Sequence, residues 1–246
     1  MSGPALRADG LGQRFGERLV FSGVSFTVGF GEVFVILGGS GSGKSTLLRQ
    51  AIGLLPPTEG RVEVLGRDMY RDRGEVLRAI GVMFQGGALF GGMTLLENVT
   101  LPLQLHADLP AAALADVARV KLSLVGLADA ADLRPAEISG GMAKRAAIAR
   151  ALALDPPLLF LDEPSAGLDP ITSAGLDRLI LDLRRDLGTT FVVVTHELQS
   201  ILAIADRCIM LDRTARGVVA QGDPRALRTE STHPVVHAFF NREAVA

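Results

Sequence analysis

The sequence predicts an α/β fold, a mainly parallel sheet with helices on both faces and a helical subdomain inserted into it. Three observations carry that prediction. Residues 33–37, 158–161 and 191–194 are continuously apolar and of strand length, as strands covered on both faces are. Strand-like runs alternate with helical ones along the chain, which calls for parallel strands joined by crossovers. Residues 94–154 break the alternation with helical patterns alone.

Each element has a local reason. Residues 19–28 alternate loosely and stop at Gly29 and Gly31, a strand and turn before the buried strand 33–37. A glycine-rich loop leads into a helix over about 44–52, and Pro56, Pro57 and Gly60 mark a loop. Residues 61–65 and 80–84 read as strands. The helical stretch 94–125 carries Pro102 and Pro110, which are expected to divide it. A helix over 143–154 closes at Asp155, Pro156 and Pro157, and an amphipathic helix over 171–187 ends at Gly188. A helix over 197–205 follows the strand 191–194, and residues 207–211 and 218–221 form a terminal hairpin. Asp223 followed by Pro224 opens a short helical tail. The organisation expected is one domain, 1–246, with an α/β core over about 1–93 and 155–222. A helical subdomain spans about 94–154 and a helical tail 223–246.

Composition narrows the function. The 246 residues carry 25 Lys and Arg against 27 Asp and Glu, a formal charge of -2. That balance argues against a nucleic-acid binder acting through its overall charge. Hydrophobic residues make up 48% and mean hydropathy is +0.32, yet no run reaches the roughly 20 apolar residues of a membrane span. The apolar content therefore belongs to buried strands. Cys208 is the only cysteine, so no disulfide forms within the chain. The first ten residues lack the basic and apolar blocks of a signal peptide, and the expected location is cytoplasmic. No low-complexity tract or strong internal repeat is visible.

The sharpest chemical signal is Gly38-Gly39-Ser40-Gly41-Ser42-Gly43-Lys44-Ser45, between a buried strand and a helix. An ordinary Gly/Ser turn does not require that context; a phosphate-binding loop does. Its glycines let backbone N–H groups face phosphate oxygens, and the helix N-terminus adds positive potential. Lys44 is placed to reach the β and γ phosphates and Ser45 to ligate Mg²⁺; Thr46 completes the expected nucleotide contacts. A second signal is Asp162-Glu163 at the C-terminal end of the strand 158–161, where open α/β sheets bind ligands. Asp162 is placed to hold Mg²⁺, directly or through water, and Glu163 to polarise an attacking water. A third is Ile138-Ser139-Gly140-Gly141-Met142 ahead of a helix, either a plain N-cap with a turn or a second anion site.

In this order the motifs resemble the ATPase subunit of ABC transporters, over roughly residues 5–225. Gln85 follows a strand, Ser165-Ala166-Gly167-Leu168-Asp169 follows Glu163, Thr195-His196 follows a strand, and Phe15 sits where that family stacks an aromatic on adenine. The resemblance implies a RecA-like, mainly parallel sheet core, an antiparallel β subdomain and the inserted helical subdomain. It implies ATP and Mg²⁺ as cofactors. Glu163, His196 and Gln85 are then the catalytic set, and Ser45, Gln85 and Asp162 the metal contacts. It also implies a head-to-tail pair in which Ser139, Gly140 and Gly141 of one copy cap ATP held by the other. The family's commonest signature ends in Gln, and here Met142 takes that place and cannot make its amide bonds. Met142 with Ala143-Lys144-Arg145-Ala146 resembles a narrower group, the ATPases of Mla and MCE-associated lipid transporters. So do Phe84-Gln85-Gly86-Gly87-Ala88-Leu89-Phe90, Met93-Thr94, Glu97-Asn98-Val99, Asp169-Pro170-Ile171-Thr172 and His196-Glu197-Leu198.

What this resemblance implies is an ATP-hydrolysing subunit on the cytoplasmic side of a bacterial inner membrane, powering movement of lipids, phospholipids above all. Its partners would be a second copy, an integral membrane permease, an MCE-type lipid-binding protein and a small STAS-type accessory subunit, with no nucleic acid. Two alternatives remain, the ATPase of an importer for small polar solutes and a soluble ABC-type assembly ATPase. A P-loop kinase leaves Ser139–Gly141 and His196 without a role. Ala88, Leu89 and Phe90 are either core or the wall of a groove receiving a permease helix. Val235, Val236, Phe239 and Phe240 either dock on the core or meet another subunit. Arg145 and Arg150, five positions apart on a helix, are expected in salt bridges or solvent. Cys208 reads as a buried, inert thiol, and His106, His233 and His237 show no metal-ligand spacing.

Overall fold

The computed structural model describes residues 3–243, so positions 244–246 of the expected tail lie outside the described residues. Two sheets organise it. The first is antiparallel, in the order β2 (Arg18–Val28), β1 (Leu6–Phe15), β4 (Glu59–Val64), β5 (Arg67–Asp68). The second has six strands in the order β10 (Gly217–Gly222), β9 (Arg207–Asp212), β3 (Val33–Gly38), β8 (Thr190–Val194), β7 (Leu158–Asp162), β6 (Ile80–Met83). All its neighbours run parallel except the β9–β10 hairpin.

The continuously apolar strands sit at the centre of the six-stranded sheet, as their composition demands. Alternate side chains serve two different cores. Val33, Val35 and Leu37 with Phe191, Val193, Leu159 and Leu161 face one core, shared with the helical subdomain and the helices after β7. Phe34, Ile36, Val192, Val194, Leu158 and Phe160 face the other. There they meet α1 (Lys44–Ala51), α2 (Arg73–Arg78) and the inner face of the antiparallel sheet.

Between β6 and β7 lie α3 (Leu95–His106), α4 (Ala111–Leu124) and α5 (Gly140–Ala151). Three expectations are corrected here. Pro102 does not divide α3; only Pro110 marks a break, at the start of α4. The capping box of Thr94 and Glu97 and the burial of Leu95, Val99 and Leu103 outweigh the roughly 3 kcal/mol a proline costs inside a helix. The helix expected over 143–154 starts earlier, at Gly140, and ends at Ala151. The Ser139 hydroxyl accepts from the Met142 N–H at 3.3 Å, so both signature glycines are drawn into the first turn. Finally, β1 was not foreseen. Its Gly10 and Gly12 read as turn residues, yet the strand pairs with β2 on one side and β4 on the other, with register shifts between Ala8 and Leu11 and again at residues 11–14.

Following β7, α6 (Pro170–Leu187) is capped by Asp169, which accepts from Ile171 and Thr172 N–H at 3.0 Å each, and ends at left-handed Gly188. The chain closes with α7 (Leu198–Ile204), the β9–β10 hairpin, α8 (Pro224–Glu230) and α9 (Pro234–Asn241). Val236 and Phe240 of α9 are buried in the core, with Val235 and Phe239 packed beside them, which decides for docking of this stripe on its own chain. Cys208 is fully buried and its thiol is pushed up to about 12, chiefly by burial. No described helix is long and apolar enough to cross a membrane.

Asp177 of α6 is buried and hydrogen-bonded with Ser200 of α7, and burial raises its pKa to about 6. A carboxyl raised on folding favours the native state while protonated, and that contribution disappears as pH rises through about 6. Asp177→Asn should therefore be neutral near pH 4 and stabilising at pH 8, by about 1–3 kcal/mol. Urea denaturation at the two pH values checks this; equal differences at both would contradict it.

Candidate functional site

The sheet register gathers the site. Ile36 of β3 lies opposite Val194 of β8, Val194 opposite Asp162 of β7, and Leu161 of β7 opposite Met83 of β6. Two residues beyond each of Ile36, Val194 and Met83 come Gly38, His196 and Gln85. The phosphate loop, His196, Asp162-Glu163 and Gln85 thus leave the C-terminal ends of four consecutive neighbouring strands. This is the edge where such sheets bind ligands.

Two glycines of the loop over residues 38–43 leave no room for a side chain. Gly43 has φ 102°, and a Cβ there would stand 2.8 Å from the Phe21 ring. Gly38 has φ 147°, and its Cβ would meet the Leu211 carbonyl at 2.3 Å. With Gly43 as its N-cap, α1 presents its first N–H groups to the loop. Lys44 Nζ donates to the Gly38 and Gly39 carbonyls at 2.8 and 3.1 Å. Burial lowers its pKa, against the opposing pull of Glu163 and Asp162. The Ser42 hydroxyl is buried without a protein partner. A cleft of about 300 Å³ opens beside the loop, lined by Gly41, Gly43, Lys44, Ser45 and Thr46 with Phe15, Arg18 and Val20. Phe15 is 52% exposed, an apolar face offered to a planar ligand.

Across the loop stand the carboxylates. Burial first, and Glu163 second, raise the pKa of Asp162, while Arg49, Lys44 and Lys144 pull it down. Glu163 is nearly buried with φ 47°, a left-handed conformation held by its N–H bond to the Val194 carbonyl at 2.8 Å. Its Oε1 is 2.8 Å from His196 Nδ1, so the ring donates from Nδ1 to the carboxylate. Its Oε2 is buried with no partner. A carboxylate with one oxygen held and the other unspent suits proton abstraction.

Gln85 is exposed at the head of a turn gripped by α5. Lys144 Nζ donates to the Gln85 carbonyl, and Arg150 donates to Gly87 and Ala88 carbonyls at 2.9 and 2.6 Å. Arg145 donates to the carbonyls of Val125 and Gly175 at 3.2 and 3.3 Å. The two arginines were expected in salt bridges or solvent; they hold backbone carbonyls instead, Arg145 those of Val125 and Gly175 and Arg150 those of Gly87 and Ala88. Ala88 and Phe90 are exposed and Leu89 is packed on the core, so the apolar trio divides between the two roles open to it. Buried Asn98 accepts from Phe90 N–H at 2.7 Å and donates to the carbonyls of Phe90, Met93 and Thr94, fixing the far end of the same segment.

Ser139, Gly140 and Gly141 are not among the residues lining the cleft. They abut the segment after Glu163 instead. A Cβ on Gly141 would lie 2.5 Å from the Thr172 methyl, and one on Gly140 3.8 Å from Leu168. Site residues that sequence reasoning missed are Arg18 and Val20, two apart on one face of β2, and Arg49, Lys144 and Asn98. The two-residue turn at Gly16-Glu17, which pairs Phe15 with Arg18 across the hairpin, was a usable signal for the first pair; the others owe their partners to tertiary placement.

Residues 21–166 match the family model described as ABC transporter. The chain belongs to the ABC transporter family. It is 43% identical over 230 residues to the intermembrane phospholipid transport system ATP-binding protein MlaF of Escherichia coli K12, covering 92% of this chain and 84% of that one. It is 40% identical to the probable ribonucleotide transport ATP-binding protein mkl of Mycobacterium tuberculosis H37Rv, over 97% of this chain and 67% of that one. Among solved structures, CbiO1 of Clostridium perfringens, part of the ABC transporter complex CbiONQ, superposes with TM-score 0.84 at 27% identity, over 92% of this chain and 91% of that one. A dimeric post-hydrolysis state of the ATP-binding cassette MJ0796, bound to ADP and Pi, superposes with TM-score 0.78 at 31% identity, over 89% and 98%. As an ABC ATPase the chain binds and hydrolyses ATP.

Lys44→Ala removes the one ammonium already aimed into the phosphate loop. ATP hydrolysis should fall by at least about 100-fold, the scale of losing one preorganised charged donor, with nucleotide binding weakened in a fluorescent-nucleotide titration. Unchanged turnover would remove the site from this loop.

Proposed function

We propose that this ABC ATPase powers phospholipid movement between the inner and outer layers of a bacterial envelope, working as a head-to-tail pair bound to a membrane permease. The observation that carries the catalytic reading is the Glu163–His196 pair, facing Lys44 across the phosphate loop. The lipid reading rests on the identity to MlaF across most of both chains.

In this reading adenine lies on Phe15 and the triphosphate over residues Gly38, Gly39, Ser40, Gly41, Ser42, Gly43 and Lys44 to Thr46. Lys44 exchanges its bonds to the Gly38 and Gly39 carbonyls for phosphate oxygens. The orphaned Ser42 hydroxyl donates there too. Among the described residues no cluster of three His, Cys, Asp or Glu is arranged to hold a metal by itself. Ser45, Asp162 and Gln85 instead form a sparse oxygen set, the kind that holds Mg²⁺ together with substrate phosphates. When bound there, Mg²⁺ would neutralise charge on the β and γ phosphates. Glu163 Oε2 accepts a proton from the attacking water as the water oxygen bonds to the γ-phosphorus. The bond from phosphorus to the β–γ bridging oxygen breaks, and its electron pair leaves with ADP. His196 fixes the other oxygen of Glu163 throughout.

The signature supports the pairing. Ser139 caps α5, and Gly140 and Gly141 in its first turn do not line the chain's own cleft, so this helix N-terminus suits the γ-phosphate of a second copy. The dimeric cassette at 31% identity is in keeping with this arrangement. Exposed Phe90 and Ala88 beside Gln85 offer an apolar seat for a permease helix, and through the permease the chain would lie on the cytoplasmic side of the inner membrane. An MCE-type lipid-binding protein and a small STAS-type subunit complete the assembly this reading expects.

Glu163→Gln keeps shape and most hydrogen bonds but removes the base. Single-turnover hydrolysis should fall by about 10² to 10⁴, while Mg-ATP still binds and cross-linking traps a closed pair. Wild-type rates would exclude Glu163 as the base, and loss of ATP binding would make its role structural. The partner and cargo are tested together. Purified from membranes in mild detergent, the chain should bring a permease whose ATPase activity rises with phospholipid vesicles. Phe90→Asp should lose that permease, because an unpaired charge in an apolar contact costs several kcal/mol. Stimulation by ribonucleotides and not by phospholipid would favour the activity in mkl's name instead.

A further inference from the structure

The face of α5 formed by Ala143, Lys144, Ala147 and Arg150 lies against the turn that begins at Gln85. Gly87 has φ 72°, and a Cβ there would sit 3.5 Å from the Ala147 methyl, so the turn runs close along the helix. The carbonyls of Gln85, Gly87 and Ala88 all point to cations of this one face. The two cations differ in what else they meet. Arg150 has its pKa lowered by burial alone, and its guanidinium serves the turn. Lys144 is lowered by burial but held up by Asp162 and Glu163. Its ammonium donates to the Gln85 carbonyl from one helical turn beyond the signature glycines.

We infer that Lys144 is a positioning residue for hydrolysis. By holding the Gln85 carbonyl it orients the Gln85 amide toward the reacting phosphate. It also ties that orientation to the signature helix of its own chain. A charge-assisted bond to a carbonyl is shorter and stronger than a neutral one, so the Gln85 backbone follows α5 when the helical subdomain moves. A change felt by Ser139, Gly140 or Gly141 at one ATP is thereby passed to the water side of the other. This inference rests on the reading of Gln85 as a contact for Mg²⁺ and water.

The test compares Lys144→Met, Lys144→Ala, Lys144→Arg, Gln85→Ala and the double variant Lys144→Met/Gln85→Ala in steady-state ATP hydrolysis, with the chain in its permease complex. Lys144→Met keeps the aliphatic stem and removes only the donor. It should lower kcat about 10- to 100-fold, the worth of a charged hydrogen bond, with the KM for ATP and the thermal unfolding midpoint near wild type. Lys144→Arg should recover most of kcat, since its guanidinium still donates with charge. The double variant should be no slower than Gln85→Ala, because Lys144 acts only through Gln85. A Lys144→Met enzyme at the wild-type rate, beside a slowed Gln85→Ala, overturns the inference. Multiplying effects in the double variant also overturn it, by showing that Lys144 acts on the carboxylates directly. If Gln85→Ala hydrolyses normally, it is the underlying reading of Gln85 that fails. Should Lys144→Met and Lys144→Ala not fold, Lys144→Gln takes their place: a lowered kcat with unchanged KM supports the inference, and a wild-type kcat or a loss in KM alone overturns it.

Discussion

The structure depends above all on the parallel hydrogen-bond ladder through β3, β8, β7 and β6. A shift of one residue in any of these strands exchanges every inward side chain between its two cores. The apolar sequences forbid that, since Val33, Val35 and Leu37 pack with the helical subdomain while Phe34 and Ile36 pack against α1 and the antiparallel sheet. The same register that satisfies both cores sets Gly38, His196, Asp162 and Gln85 side by side at one edge. Catalytic geometry is in this sense a by-product of core packing. The core is also why the arrangement needs no metal or disulfide to hold it.

At that edge the fold concentrates charge. Asp162 and Glu163 are neighbours in a partly desolvated site, where burial first and the Glu163 charge second disfavour the ionisation of Asp162. Lys44 answers them from the phosphate loop, Arg49 from α1 and Lys144 from α5. Two of these cations belong to α1 and the third to α5, so the potential beside the phosphate loop depends on how the helical subdomain sits against the core. Lys121 reinforces that seating. Its buried ammonium, in α4, pairs with the exposed carboxylate of Asp155 at the return to β7. An unpaired ammonium in that place would be costly, which favours one docking of the subdomain over others.

Much of this was legible in the sequence wherever the information was local. Continuous apolar runs gave β3, β7 and β8; the phosphate loop declared itself by glycine spacing between strand and helix; Asp169, Asp223 and Gly188 marked helix ends that the structure keeps. What was hidden is what tertiary contact decides. Two glycines in β1 spell turn chemistry, and only pairing on both sides makes the segment a strand. Pro102 spells a break, and only the burial around it keeps α3 whole. Lys144, Arg145 and Arg150 spell a solvated face, because nothing in their spacing tells which carbonyls will stand within reach of long side chains. Lys44 was readable because its motif is local, whereas Arg49, Lys144, Arg145 and Arg150 were not, because their partners are set by tertiary placement.

The placement of Ser139 bears on the proposed pairing of two copies. An exposed helix N-terminus with two glycines in its first turn has unpaired N–H groups that water must otherwise satisfy. In this chain Gly140 is exposed and Gly141 buried; they lie beside Leu168 and Thr172 and are absent from the lining of the cleft. A chain that used its own signature would have to bend α5 away from the Gln85 turn, breaking the bonds of Lys144 and Arg150 and exposing Ala147. Bringing a second chain to the signature costs none of these. The grip of α5 on the Gln85 turn thus works against closure within one chain and for closure between two.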